Sequence, residues 1–223
     1  MLRWHESGRE RVVVIDTGPD FREQALRAGV ARVDAVFYTH GHADHILGMD
    51  DLRPLSFVVA REGGEIPLYA SEETAATLGR IYDYTLSPTA TYPNRARVRL
   101  VPLQASNRVF GVDFVCVPVR HGKQSIVGFR FGRTAYLTDV SDIPEESFAL
   151  LEGLDCVILS ALRHKPHPSH ATLGQAVSWA QRIGARKTWF THIAHDLGHA
   201  ETNRSLPEGI ALAYDGLSVP VIL

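Results

Sequence analysis

The sequence lacks the features that mark several large classes of protein. It has only 2 cysteines among 223 residues, which excludes a disulfide framework or a cysteine-based zinc knuckle. Cys116 and Cys156 lie inside apolar runs, so both thiols are expected to be free and buried. No run approaches the ~18 apolar residues of a membrane-spanning helix, and charged residues stand near the first Met, where a secretory signal would be apolar. We therefore expect a cytoplasmic protein that has no membrane partner.

An excess of charge of one sign is also missing. The sequence has 23 Lys and Arg against 25 Asp and Glu, which gives a formal net charge of −2. A balanced chain has no general attraction for nucleic acid or for an anionic membrane surface. Its hydrophobic content of 45% is that of an ordinary globular protein. Because no Pro-, Gly- or Ser-rich linker divides the sequence, we expect a single domain over residues 1–223.

Apolar, β-branched runs alternate with helical segments along the chain. The runs are continuous rather than alternating, which favours strands that are buried on both faces. Helices are predicted from residue 40 to about 53 and over residues 72–81, 144–151 and 172–183, the last with Thr172 and Gln175 at capping-box spacing. The pair Asp215-Gly216 lies between apolar runs and predicts a terminal hairpin. The whole pattern is typical of an α/β protein with helices packed on sheets.

The residue that the sequence has in unusual number is histidine. It contains 11 histidines, and several stand where an apolar run ends. Residues after the C-terminal ends of strands converge on one edge of a sheet. Imidazole and carboxylate groups are the ligands of zinc, and also of manganese or iron. We therefore predict that two divalent ions, bridged by Asp139, are held by seven side chains: His40, His42, Asp44, His45, His121, Asp139 and His192.

The segment from His40 to His45 carries most of this prediction. Four metal-binding side chains within six residues lose hydration and repel one another unless a cation compensates. A lone histidine beside an apolar run is more often a core or surface residue. The residues that stand alone, His121, Asp139 and His192, are therefore weaker candidates when each is taken singly.

Together these residues resemble the metallo-β-lactamase superfamily. Its H-x-H-x-D-H loop, later lone His, bridging Asp and final His match residues 39–45, 120–122, 137–142 and 190–195. The resemblance implies a four-layer αβ/βα sandwich, classed as α/β or by some schemes as α+β, and a dinuclear metal-dependent hydrolase. True β-lactamases usually carry a basic residue at the position of His45 and a Cys at that of Asp139. Antibiotic hydrolysis is therefore disfavoured.

The segment around His170 narrows the resemblance. His-Ala-Thr, followed by a helix and then Thr-His-Ile, is similar to the phosphodiesterase branch of the superfamily. That branch includes ribonuclease Z and the phosphoribosyl cyclic-phosphate phosphodiesterases, in which the corresponding His contributes to catalysis. Ribonuclease Z also carries a basic arm that grips tRNA, and no such insertion is visible here. The resemblance therefore favours a small phosphodiester, cyclic phosphates included, over a nucleic acid.

These observations lead to a hypothesis for the reaction. Two dications with Asp44, Asp139 and a bridging hydroxide leave a centre of about +1, which favours an anionic substrate. The hydroxide attacks phosphorus, Asp44 orients it, and His170 protonates the leaving group as general acid. The free N–H groups at the start of the helix after His170 favour phosphate oxygens. Hydrolysis of a carboxyl ester, lactone or thioester, a ribonuclease Z-like nuclease and a non-catalytic metal-binding protein stay open.

Several residues have no role, or two alternative roles, in this hypothesis. Relatives open with a Gly-rich hairpin and a Cys-x-Cys-x-x-Cys segment, which binds a structural zinc with a His at the position of His195. Nothing similar precedes Val12, so either the true start lies upstream or the protein dispenses with this third metal. Asp16 is either a hydrogen-bond partner of a ligand histidine or a turn residue. The resemblance allows a homodimer, the state of many relatives. His164 and His167, in a polar loop, either line the substrate entrance or are solvated loop residues, and the pattern assigns no role to His195 or His199.

Overall fold

The computed structural model describes all 223 residues, which form two compact units over residues 1–104 and 105–223. Each unit has one β-sheet and its own hydrophobic core. The predicted α/β class is confirmed, because strands and helices occur together along the chain. The longest helix has 11 residues, and no helix combines the length and apolarity that a membrane span requires.

The first unit contains a five-stranded sheet in the order β1-β2-β3-β4-β5. β1 and β2 pair antiparallel, and the other neighbours pair parallel. The strands are β1 Leu2–Glu6, β2 Arg9–Ile15, β3 Ala35–Phe37, β4 Ile66–Ala70 and β5 Val98–Pro102. The helices are α1 Phe21–Arg27, α2 Ala43–Ile46, α3 Arg53–Ala60, α4 Glu72–Ile81 and α5 Asp83–Leu86, with a 3₁₀ turn over Met49–Leu52.

β3 shows why a central parallel strand has a continuous apolar sequence. All three of its residues, Ala35, Val36 and Phe37, are fully buried, because both faces of the strand are covered. β1 was not predicted from the sequence. Its run from Leu2 to Glu6 alternates in burial and carries charged residues, so it has no continuous apolar signal.

The helix predicted from residue 40 to about 53 is broken into short pieces. Gly48 separates α2 from the 3₁₀ turn, and a side chain at Gly48 would collide with the Gly18 carbonyl oxygen. The Gly48 N–H donates to Thr17 O at 2.8 Å, and the Thr17 N–H donates to His45 O at 2.8 Å. The close approach therefore fastens the segment after β2 to the segment after β3.

The second unit contains a seven-stranded sheet in the order β12-β11-β10-β9-β8-β7-β6. The strands are β6 Ser106–Val109, β7 Val112–His121, β8 Gln124–Phe131, β9 Thr134–Leu137, β10 Cys156–Ser160, β11 Lys187–Thr191 and β12 Ile210–Leu212. The helices are α6 Glu145–Phe148, α7 Leu173–Ile183 and α8 His199–Ser205, and a 3₁₀ turn over Ala149–Leu151 follows α6.

The pairing in this sheet places several strand ends at one edge. β9, β10, β11 and β12 are parallel. β7 points the same way as β9, because each pairs antiparallel with β8. The C-terminal ends of β7, β9 and β11 therefore lie at the same edge of the sheet, and His121, Asp139 and His192 stand at or just after those ends.

The terminal hairpin predicted at Asp215-Gly216 is wrong. β12 pairs parallel with β11, and the residues after the turn form no strand. Pro220 in this segment has no N–H to donate to a strand ladder. The segment is held instead by a backbone bond from Arg133 N–H to Ile222 O at 3.0 Å.

The cap of α7 gives a first test of the fold. Thr172 Oγ1 accepts from Gln175 N–H at 3.2 Å, and Gln175 Oε1 accepts from Thr172 N–H at 2.9 Å. Thr172→Ala removes half of this capping box and should lower the free energy of unfolding by about 1 kcal/mol, which corresponds to roughly 2–4 °C in Tm. Thermal denaturation measures the shift. Ser178→Ala, in the middle of the same helix, should cause no comparable loss, and equal losses in the two variants would contradict the capping role.

Candidate metal centre

Asp16 organises the candidate site of the first unit. Its Oδ1 accepts from the Thr39 N–H at 2.8 Å, and its Oδ2 accepts from Thr39 Oγ1 at 2.7 Å and from His45 Nδ1 at 2.8 Å. The parallel pairing of Ile15 with Phe37 brings the ends of β2 and β3 to one edge, where these bonds form. Of the two alternatives for Asp16, the structure supports the hydrogen-bond partner of a candidate ligand.

These bonds fix which nitrogen of each neutral imidazole carries the proton. Thr39 Oγ1 gives its only hydrogen to Asp16, so it accepts from His40 Nδ1 at 3.0 Å. His45 Nδ1 donates to Asp16 in the same way. Both rings therefore present Nε2 as a lone pair, which is the form of histidine that binds a metal ion.

The lone pairs lie close to other metal-binding atoms. His40 Nε2 is 3.0 Å from His42 Nδ1, and His45 Nε2 is 3.3 Å from Asp44 Oδ2. The rings of His40 and His45 are also in contact, with centroids 4.1 Å apart. His40 Nε2 and His42 Nδ1 can share a hydrogen bond. The Nδ1 proton of His45 is already donated to Asp16, so the contact between His45 Nε2 and the Asp44 carboxylate is favourable only with an added positive charge. The donor set of this unit fits a divalent cation.

The second unit brings together four more candidate residues. Ligand atoms of His121, Asp139 and His170 lie within 4.8 Å of one another. His192 Nε2 is 3.4 Å from Asp139 Oδ2, and the His192 ring stacks on that of His170 with centroids 4.7 Å apart. His121 Nδ1 donates to Ser169 O at 2.8 Å, which leaves its Nε2 as a lone pair. This donor set also fits a cation.

Hydroxyl groups that the sequence analysis did not single out hold these side chains in place. Thr138 Oγ1 donates to Asp139 Oδ1 at 2.8 Å, and Ser160 Oγ accepts from the Val140 N–H at 2.9 Å. Ser141 ties the loop after β9 to the end of β7, because its N–H donates to Arg120 O at 2.7 Å. The sequence offers a signal only for Thr138, which directly precedes the predicted ligand Asp139.

The backbone is strained at three of the residues of these two clusters. Asp16, Asp139 and His192 have φ of 59°, 58° and 55° and each directly follows, or lies one residue beyond, a strand. This left-handed region is uncommon for residues other than glycine and costs on the order of 1–3 kcal/mol per residue. Such strain is typical of functional sites, where the surrounding structure holds a side chain in a required direction.

His170 has an unusual electrostatic environment. Burial and the neighbouring His192 lower its pKa to about 4, an effect that Asp139 partly opposes. Its Nδ1 is buried without a hydrogen-bond partner, 4.0 Å from Asp139 Oδ2. His170 is therefore neutral at pH 7, and a negative charge placed beside it would raise its pKa.

The start of α7 offers less to a phosphate than the sequence suggested. The Leu173 N–H donates to Arg163 O and the Gln175 N–H donates to Thr172 Oγ1, so two of the first N–H groups are already used. The imidazole rings around His170 are therefore better candidates to contact a substrate than the N-terminus of α7.

Other residues of the sequence analysis stand apart from the two clusters. The side chain of His195 is 97% exposed beside Asp196, as expected of a surface residue, and His199 Nε2 contacts Ala213 O at 3.2 Å. His164 is exposed. Cys116 and Cys156 form no disulfide, as predicted, but only Cys156 is buried and Cys116 is half-buried. Desolvation still raises the pKa of Cys116 to about 11.

Known proteins share both the sequence and the fold. The profile of the β-lactamase superfamily domain matches residues 11–193. A solved structure of a diphosphatase from the PhnP family is 50% identical, with a TM-score of 0.88, and the match covers 98% of this chain and 83% of that one. The short form of human tRNase Z is 18% identical with a TM-score of 0.69, over 98% of this chain and 92% of that one. At 18% identity, the similarity to human tRNase Z shows only a shared fold.

One similar protein is named for an acyl-transfer activity rather than for hydrolysis of a phosphate bond. An octanoyltransferase of Porphyromonas gingivalis is 34% identical over 209 residues, which make up 92% of this chain. The match covers 41% of that protein. The chain therefore spans about two fifths of the length of this relative.

The role of Asp16 can be tested through metal affinity. Asp16→Asn keeps the shape of the side chain but places an NH₂ group where a carboxylate oxygen accepts from Thr39 or His45. Because such supporting groups set the orientation and basicity of ligand histidines, metal affinity should fall about 10- to 100-fold. Competition with a chromophoric zinc chelator measures this affinity. The control is Asp20→Asn, an exposed aspartate without a side-chain cap bond; affinities equal to the wild type in both variants would contradict the role of Asp16.

Proposed function

This chain belongs to the PhnP family of the β-lactamase superfamily and is a metal-dependent hydrolase, and from that premise we propose that it cleaves a phosphodiester or diphosphate bond in a small substrate. The observation that carries the proposal is the cluster of imidazole rings in the second unit. The ring centroid of His170 lies 4.7 Å from that of His121 and 4.7 Å from that of His192. The relative that shares 50% of its sequence is named a diphosphatase, which supports the same chemistry.

We propose that the ligand sets of the two units hold two divalent ions, with zinc or manganese first and iron as a further candidate. The ligands would be His40, His42, Asp44, His45, His121, Asp139 and His192. Two such ions supply hydroxide at neutral pH and neutralise the charge of phosphate oxygens. The proposal is supported by the Nε2 lone pairs of His40, His45 and His121, which their hydrogen bonds fix.

His170 is proposed to protonate the leaving group. Its Nδ1 faces Asp139 and has no hydrogen-bond partner, so this nitrogen is available to carry the transferred proton. A phosphate oxygen beside the ring opposes the effects of burial and of His192, and therefore raises the pKa of His170 towards neutrality.

Asp44 is proposed to orient the attacking water. Its side chain is 62% exposed, so one carboxylate oxygen can accept a hydrogen bond while the other faces His45. The formal net charge of −2 provides no excess of basic residues for long nucleic acid. We therefore propose a small anionic substrate and no nucleic-acid partner. We further propose that both units act as one domain and that the protein forms a homodimer.

A second candidate is hydrolysis of a thioester, carboxyl ester or lactone. One observation favours it: the 34% identical relative is named an octanoyltransferase, and octanoyl groups are transferred as acyl groups. The same hydroxide could attack an acyl carbon. Such substrates would need no second anionic group, whereas the charge of the proposed centre favours a phosphate.

A substrate panel and a His170 variant test this proposal. The metal-loaded protein should hydrolyse bis-nitrophenyl phosphate and a disubstituted diphosphate at least tenfold faster than a lactone, a glutathione thioester or an octanoyl thioester. His170→Ala should keep its metal but lose about 10²–10⁴-fold in turnover of phosphate esters with poor leaving groups. It should lose much less with nitrophenyl esters, whose leaving groups depart without a proton. Steady-state kinetics and elemental analysis measure both effects.

The exposed His195 provides the matched control, since His195→Ala should change neither metal content nor turnover. Equal losses for good and poor leaving groups in His170→Ala would remove the acid role. Faster turnover of the thioesters than of the phosphate compounds would favour the second candidate and contradict the phosphodiesterase.

A further inference from the structure

His167 is anchored by the same residue that anchors His121. The Ser169 N–H donates to His167 Nδ1 at 3.3 Å, and Ser169 Oγ lies at the same distance from this nitrogen. The Ser169 carbonyl accepts from His121 Nδ1 at 2.8 Å. Ser169 therefore positions both His121, a candidate metal ligand, and His167, which has no part in the proposed function.

The loop that carries His167 has little freedom to move. The Arg163 guanidinium donates to Lys165 O at 3.2 Å and to Pro166 O at 3.0 Å, and the rings of Pro166 and Pro168 restrict φ on both sides of His167. Gly122 packs so closely that a Cβ there would lie 3.3 Å from Ser169 Cβ. The position of the His167 ring is therefore set before any ligand arrives.

The hydrogen bond to Ser169 also fixes the tautomer of His167. A backbone N–H only donates, so Nδ1 accepts and the proton of the neutral ring is on Nε2. The ring is half-buried, and its centroid is 4.8 Å from that of His170. His167 thus presents a fixed N–H donor beside the proposed acid. It is not part of the group formed by His121, Asp139 and His170.

We propose that His167 Nε2–H binds an oxygen of the second phosphoryl group of a diphosphate substrate, and so selects diphosphates over simple phosphodiesters. The inference rests on the proposed function, in which the reacting phosphorus lies beside His170. The donor beside that ring meets the next phosphoryl group along the substrate. A substrate that contains a single phosphate has no oxygen to offer there. The exposed Lys165 adds positive charge to the same loop and favours the same anionic group.

Binding of two matched analogues to the metal-loaded protein tests this inference. One is a methylene-bridged, disubstituted diphosphate analogue, which is not hydrolysed, and the other is a methylphosphonate monoester that carries one of the same substituents. His167→Phe keeps a ring but removes the donor, and should weaken binding of the diphosphate analogue about 10- to 100-fold in isothermal titration. Binding of the monoester should change less than about twofold, because it makes no contact with His167. His167→Gln, which restores an amide donor, should recover most of the loss.

His164→Phe, in the same loop but exposed, is the control and should bind both analogues like the wild type. Equal weakening of both analogues in His167→Phe, or of neither, would overturn the inference. Loss of metal from His167→Phe would also overturn it, because His167 would then support the ligands instead of the substrate. Wild-type protein that binds neither analogue contradicts the proposed function itself. Tight binding of the diphosphate analogue whatever stands at residue 167 contradicts only the role of His167.

Discussion

The constraint on which the site depends is the cost of placing imidazoles and carboxylates side by side away from water. Both units do this at the edge of a sheet, and each then has to account for every proton. In the first unit Asp16 accepts hydrogen bonds from the Thr39 hydroxyl and from His45 Nδ1. In the second unit the Ser169 carbonyl accepts a hydrogen bond from His121 Nδ1. Each of these imidazoles is left with a nitrogen lone pair, and a bound cation would offset the cost of holding such groups beside carboxylates.

Sheet topology explains how distant parts of the sequence come to share such a constraint. Within each unit, parallel pairing brings the ends of strands to one edge, so a ligand and its support can come from residues far apart in the chain. Positive φ at Asp16, Asp139 and His192 then turns the chain sharply after the strand. The cost of that strain is offset by the bonds that converge on the same residues, such as the three that Asp16 accepts. Strain and support are therefore parts of one arrangement.

The sequence predicted the parts of this structure that follow from local pattern. β4 and α4 lie where periodicity and apolar runs place them, and the capping box of Thr172 is present. The prediction failed where a contact between distant residues decides the outcome. Gly48 interrupts a helix because it packs against Gly18, and the expected hairpin at Asp215 gives way to parallel pairing of β12 with β11. Neither contact leaves a trace in a local window.

The candidate site divides in the same way. His40, His42, Asp44 and His45 stand together in the sequence, so their chemistry is visible without a structure. The groups that fix the imidazole protons are not visible in the sequence, because Thr39 beside His40 and Ser169 beside His121 act through hydrogen bonds whose geometry depends on the fold. The role proposed for His167 depends on such a bond and on the contact with the His170 ring, and neither can be read from the sequence.

The central proposal is that the seven candidate ligand side chains hold two metal ions. The most direct test is the number of ions per chain, measured by inductively coupled plasma mass spectrometry after reconstitution with zinc or manganese and removal of unbound metal. The account predicts two ions per chain in the wild type and at most one in Asp139→Ala, which removes one of the seven proposed ligands. A wild-type chain that retains no ion or only one, or an Asp139→Ala chain that still retains two, would contradict it.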